Sequence, residues 1–287
     1  MIQGVRSFEI LAAAAALFAV TLLAGWGVLR VVPFRRVRRV PGPRPPPSWR
    51  ALIAEQVPIT AGLTEDDWDR LLDLIGQFVR GKTFEGSGGL EVTETMQLIV
   101  AAQACLLILN IDAGCYPFVR VVLLYPNSFV PKPAGLDHRL HTGPVAEPGP
   151  LLGQHIRGVV VLSWETVERG AARSGDGDNV VLHEFAHELD IENGAVDGVP
   201  LLEGPSSTRE WARVLERRFE DLRRAVDADE PSVLNLYGAT NRAEFFAVAT
   251  EAFFERPAEL LRHYPDLYAE LEGFYRQDPA ARVAKRP

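Results

Sequence analysis

The chain has 287 residues, of which 47% are hydrophobic, and it carries a formal net charge of −8. This length and composition suffice for one large domain with a sizeable core plus an appendage. The acidic balance argues against a nucleic-acid partner, which requires a broad basic surface, and the presence of only Cys105 and Cys115 argues against a disulfide framework.

The N-terminal segment has the pattern of a membrane anchor. Residues 10–29 form an uncharged run of 20 residues, which is long enough to cross a bilayer as one helix. Arginines are dense just after this run and only Arg6 precedes it, so the positive-inside bias places the rest of the chain in the cytoplasm. A cleaved signal peptide is the alternative, although no clear Ala-x-Ala site ends the run. We therefore expect a single-pass protein of the cell membrane that contacts the lipid bilayer through residues 10–29.

The composition divides the chain into four parts. We predict a transmembrane anchor at residues 1–32, a basic and proline-rich juxtamembrane linker at 33–48, a folded domain at 49–280 and a polar tail at 281–287. Within the folded domain, capping residues and apolar periodicity predict helices at 64–81, 93–109, 207–225, 241–254 and 267–275, and continuous aliphatic runs predict buried strands at 119–125 and 158–164. The long Pro- and Gly-rich segment at 126–154 is expected to form a wall or a lid of a cleft.

The most informative stretch is an HExxH pattern in the apolar helical run at 180–190. Positions i and i+4 share one face of an α-helix, so His183 and His187 can direct ring nitrogens at one ion. Glu184 projects about 100° around the helix from His183, which suits a base acting on water better than a third ligand. Two histidines and a glutamate are costly to bury without a cation, and we therefore predict a zinc site. The candidate N-caps of this helix are Asp178 and Asn179.

Catalytic zinc usually takes three protein ligands, so the pattern requires one more. Glu244 is the first candidate because it lies in an apolar helical run, although its spacing from Asn241 also fits a capping box that serves only the helix terminus. Glu251, two turns further on, is the second candidate for a ligand or a partner of one. Asp190 could either orient the ligand His187 or have a structural role at the end of the helix or in a turn.

The ordered motifs resemble the Mlc titration factor A family of zinc metallopeptidases. The resemblance covers about residues 49–279 and includes HEFAHELD at 183–190, a Tyr237-x6-Glu244 spacing and Glu251-x-Phe253-Phe254. The helix with a downstream Tyr and Glu is also similar to the catalytic domain of anthrax lethal factor, a gluzincin.

The resemblance implies a fold and a set of roles. The fold class implied is α+β, with a zincin-like domain at 49–280 in which a small sheet and the active-site helix precede a mostly helical part, behind the predicted transmembrane helix. The implied zinc ligands are His183, His187 and Glu244, with Glu184 as catalytic base and Tyr237 as the hydroxyl that stabilises the transition state.

We therefore predict a membrane-anchored, monomeric zinc peptidase that acts on a peptide or protein substrate. The metal would activate water, Glu184 would accept its proton and Tyr237 would stabilise the oxyanion. Two alternatives remain at this point: a regulatory protein that binds a cytoplasmic partner such as a transcriptional repressor, and a zinc hydrolase of a non-peptide substrate.

Overall fold

The computed structural model describes residues 43, 45–111, 114–127, 158–173, 175–202 and 205–284. Its helices are α1 (Pro47–Gln56), α2 (Glu65–Gly81), α3 (Glu94–Leu107), α4 (Trp164–Ala172), α5 (Val180–Ile191), α6 (Pro205–Asp227), α7 (Arg242–Glu255), α8 (Pro257–His263), α9 (Pro265–Tyr275) and α10 (Pro279–Ala284). Short 3₁₀ turns occupy Pro58–Thr60 and Leu236–Ala239, and the strands are β1 (Thr83–Gly86), β2 (Val121–Tyr125) and β3 (Val159–Ser163).

The sheet is small and entirely parallel. Its three strands lie in the order β1-β2-β3, with Thr83 opposite Val121 and Val121 opposite Val159. β2 is aliphatic up to Tyr125 and β3 is aliphatic up to Ser163, as expected for parallel strands that are covered by helices. Both were predicted from the sequence, whereas β1 was not.

The predicted fold class was wrong. The described residues are mostly helical with a small parallel sheet, and no helix among them is both long and apolar enough to cross a membrane. The physical reason is that a membrane span needs about 20 consecutive apolar residues. Helix α3 is apolar but has only 14 residues, and helix α6 has 23 residues but is highly charged. The same finding corrects the predicted localisation, which was a single-pass cell-membrane protein with a cytoplasmic catalytic domain.

Several sequence predictions lie outside the described residues. These are the span at 10–29 with its contact to the bilayer, its signal-peptide alternative and nearly all of the proposed lid at 126–154. The predicted domain boundaries stay predictions.

Helix α5 lies in the middle of the core. Its apolar face is fully buried, with Leu182, Phe185 and Leu189 each no more than 2% exposed. The Phe185 ring packs edge-on against Phe78, at 5.5 Å between centroids, and against Tyr116 at 4.7 Å. The opposite side of α5 packs against α7, which is buried along almost its whole length. The contact between these two helices brings their polar side chains together inside the protein.

Candidate metal centre

The centre begins with the HExxH residues of α5. The helix starts at the predicted N-cap Asn179, whose side-chain Oδ1 accepts a hydrogen bond from the backbone N–H of Leu182 at 3.1 Å. One turn into the helix, the Nε2 atoms of His183 and His187 lie 3.2 Å apart. Both rings are buried, at 6% and 7% exposure, so neither histidine is simply a solvated surface residue.

Glu244 reaches the same point from the first turn of α7. Its Oε2 lies 3.0 Å from His183 Nε2 and 3.4 Å from His187 Nε2. Asn241 does cap α7, because its Oδ1 accepts from the Glu244 backbone N–H at 3.0 Å, but the Glu244 carboxylate is directed at the histidines. Burial acts to raise the pKa of Glu244, yet hydrogen bonds from His183 and His187 outweigh it and lower that pKa well below its usual range. The group therefore stays ionised, as an anionic ligand must.

The three side chains have the geometry of a metal site. Their ligand atoms all lie within 4.8 Å of one another. In the described part of the chain, His183, His187 and Glu244 form the cluster of potential metal ligands. A tetrahedral ion with ligand distances of about 2.0–2.2 Å requires ligand–ligand separations of about 3.3–3.6 Å. The observed separations of 3.0, 3.2 and 3.4 Å are close to that requirement. The residues present therefore fit a bound metal ion.

Two further predicted residues border this group. Glu184, next to the first histidine, is half-buried. Tyr237 lies on the 3₁₀ turn Leu236–Ala239, with its ring centroid 6.1 Å from that of His183 and with 47% of its surface exposed. Burial, together with the negative charges of Glu244 and Glu184, raises the pKa of Tyr237 to about 12. Its phenol stays protonated at neutral pH and can donate a hydrogen bond.

The remaining candidates contact the centre from outside or not at all. Glu251, the second candidate for the third ligand, places Oε1 2.7 Å from Nδ1 of His183, on the side of the ring away from Glu244. Asp190 accepts a hydrogen bond from the backbone N–H of Gly198 at 2.9 Å, which is the turn-stabilising alternative for this residue. The Nδ1 atom of His187 is buried and has no hydrogen-bond partner among the described residues.

Sequence reasoning missed a buried polar network behind His183. Asn179 Nδ2 donates to Gln103 Oε1 at 2.8 Å and to Glu255 Oε1 at 2.9 Å, although the sequence predicted Asn179 only as a possible cap. A usable signal existed, because Glu251 and Glu255 are spaced i,i+4 in an otherwise apolar helix. Two carboxylates on one face of a buried helix require partners.

Comparisons with known proteins point to a metallopeptidase family. A family model described as "Glucose-regulated metallo-peptidase M90" matches residues 32–276. Mlc titration factor A of Serratia proteamaculans is 33% identical over 246 residues, which cover 83% of this chain and 90% of that protein. Mlc titration factor A of Pectobacterium atrosepticum is 32% identical over 240 residues, covering 82% and 88%. The uncharacterized protein slr2042 of Synechocystis sp. is 34% identical over 239 residues, covering 82% and 85%.

Proposed function

The chain belongs to the M90 family of metallopeptidases, and on that premise we propose that it hydrolyses peptide bonds with a zinc ion held by His183, His187 and Glu244. The observation that carries the proposal is the close approach of these three ligand atoms, all within 4.8 Å of one another. Two imidazoles and one carboxylate are a donor set typical of catalytic zinc. Three protein ligands also leave a coordination position for water or substrate, as hydrolysis requires.

In the proposed mechanism, each residue has a separate task. When bound, zinc would supply a Lewis acid that makes water more acidic and polarises a substrate carbonyl. Glu184, half-buried beside the ligands, would accept the proton of the attacking water and later pass it to the leaving amine. The Tyr237 hydroxyl would donate a hydrogen bond to the oxygen of the substrate carbonyl as negative charge develops there. Its raised pKa, about 12, supports this donor role.

Replacement of Tyr237 by phenylalanine tests the donor role. We expect kcat to fall by about 10²–10³-fold, the usual cost of losing one donor to a developing oxyanion, with zinc affinity unchanged. Steady-state cleavage of a peptide and zinc content measured on the same sample check this.

Tyr264→Phe is the matched control for Tyr237→Phe, because Tyr264 contributes its hydroxyl to a contact with Ser232 rather than to the metal centre. The control should retain wild-type kcat. A Tyr237→Phe protein with wild-type kcat would remove Tyr237 from the mechanism.

Removal and return of the metal tests the proposed function itself. Purified protein is stripped with a chelator, incubated with a peptide library with and without added Zn²⁺, and the products are identified by mass spectrometry. We expect no cleavage by the stripped protein and full recovery with stoichiometric zinc. Zinc binding without cleavage of any peptide would contradict the proposal and favour the regulatory alternative. If a parallel screen shows turnover only of esters or of amides that are not peptides, a non-peptide hydrolase is favoured.

A further inference from the structure

A single buried asparagine connects three helices directly behind the metal centre. Asn179, 1% exposed, donates through its backbone N–H to Glu251 Oε2 at 2.6 Å and through its side chain to Gln103 on α3 and Glu255 on α7. Its Oδ1 caps α5 by accepting from Leu182. We propose that Asn179 is a positioning residue that sets the orientation of His183 through Glu251, an inference that rests on the proposed zinc-peptidase function.

The route from Asn179 to the centre passes through one carboxylate. Glu251 accepts from the Asn179 backbone N–H on Oε2, and its Oε1 faces His183 Nδ1 at 2.7 Å. With both oxygens engaged, the carboxylate cannot rotate freely. A hydrogen bond from Nδ1 to the carboxylate places the imidazole proton on Nδ1 and leaves the Nε2 lone pair for a metal ion. His183 Nε2 is the atom that lies 3.0 Å from Glu244.

The two histidines differ in this respect. His187 Nδ1 is buried without a hydrogen-bond partner among the described residues, whereas His183 Nδ1 has one. His183 is therefore the ligand whose ring is oriented by a neighbouring polar group. That group is the Glu251 carboxylate, which Asn179 holds in turn.

The hydrogen bonds at position 179 require a side-chain amide, because a side chain that only caps the helix would not supply the two N–H donors. Asparagine and aspartate are about equally good N-caps. Only the amide also supplies two N–H donors, and here both have buried acceptors, Gln103 Oε1 at 2.8 Å and Glu255 Oε1 at 2.9 Å. An aspartate would replace these donors with a negative charge facing Glu255, on the residue whose backbone N–H donates to Glu251. Asn179→Asp therefore separates the positioning role from the capping role.

Glu255 extends the network to the turn before α5. Its Oε2 accepts from the backbone N–H of Gly175 at 2.5 Å, and its Oε1 accepts from Asn179. The chain that enters α5 is thus attached to α7 by three hydrogen bonds, one from the Gly175 backbone N–H and two from the backbone and side-chain N–H groups of Asn179. Loss of the Asn179 side-chain amide would remove one of them and leave the two backbone bonds.

The test is zinc affinity, measured by competition with a chromophoric chelator on the purified full chain. We expect Asn179→Asp and Asn179→Ala to weaken Zn²⁺ binding by about tenfold or more, within the range reported for groups that orient metal ligands. Thr64→Ala is the matched control, since Thr64 caps α2 through the Asp67 backbone N–H and does not contact the centre. It should lose some thermal stability and bind zinc as the wild type does.

The outcomes separate this inference from the proposed function. Wild-type zinc affinity in both Asn179 variants would overturn the positioning role and leave the peptidase proposal intact. A wild-type protein that binds no zinc would overturn both.

If Asn179→Ala does not fold, Gln103→Met removes one acceptor of the same amide while keeping the α5 cap. It should weaken zinc binding severalfold, and wild-type affinity there would count against the inference. The absorption spectrum of the Co²⁺-substituted Asn179→Asp protein should also differ from wild type.

Discussion

Replacing Glu184 with glutamine is expected to lower kcat by about 10²–10⁴-fold, the usual contribution of a general base. Glutamine has nearly the shape of glutamate but cannot accept the proton of the attacking water. Because Glu184 is not one of the three side chains that converge, the variant should bind zinc as tightly as the wild type. Peptide cleavage and zinc content measured on one preparation would separate loss of the base from loss of the metal.

Glu192→Gln is the matched control for the Glu184 variant. Glu192 is the C-cap residue that follows α5, about two turns beyond Glu184, and burial followed by the charge of Glu188 raises its pKa to about 7. An amide at this position resembles a state that the native side chain already populates near neutral pH. We expect wild-type kcat for Glu192→Gln, and wild-type kcat for Glu184→Gln would refute the assignment of the base.

The histidine pair was predictable because it depends on local geometry alone. Spacing of i,i+4 within one helix places His183 and His187 together whatever the rest of the chain does, and the structure has their Nε2 atoms 3.2 Å apart. The family resemblance drawn from the wider motif is confirmed by the family model over residues 32–276 and by the named relatives.

The third member of the cluster was harder to derive, because it depends on how α5 packs against α7. Glu244 and Glu251 are spaced i,i+7 and therefore share a face of α7, so periodicity alone leaves both open. In the structure they lie on opposite sides of the same ring, with Glu244 at Nε2 of His183 and Glu251 at Nδ1. This distinction is tertiary: the apolar helical run placed Glu244 first among the candidates, and the motif resemblance favoured it further.

The fold was predictable where the sequence carries long runs. The strands predicted at 119–125 and 158–164 contain β2 and β3, whereas β1 has four residues with a mostly exposed pattern and depends on pairing with β2. The helix α10 was predicted largely as tail. It begins at Pro279, and prolines also open α8 and α9, a preference for the first helical position that could have marked all three.

Replacement of Glu244 by glutamine is expected to weaken zinc binding by much more than about 100-fold. Loss of a group that only orients a ligand typically weakens metal binding by about 10–100-fold. The change keeps the side-chain length and the backbone bond to Asn241, but it removes the negative charge that faces both histidines. Chelator competition gives the affinity. Thermal unfolding with and without Zn²⁺ gives a second readout, since a ligand at about 1,000 times its Kd stabilises a protein by about 4 kcal/mol. That stabilisation should be nearly absent in the variant.

The decisive comparison is between Glu244→Gln and Glu251→Gln. If Glu244 is the ligand and Glu251 orients His183, the Glu251 variant should lose about 10–100-fold in zinc affinity and the Glu244 variant should lose more. Glu216→Gln, which removes an exposed carboxylate paired with Arg242, controls for loss of charge and should bind zinc normally. The reverse order would make Glu251 the ligand. Because the two carboxylates approach opposite nitrogens of one ring, a reversed order would also require His183 to bind the metal through Nδ1, and the ring of His183 would then have to turn away from His187.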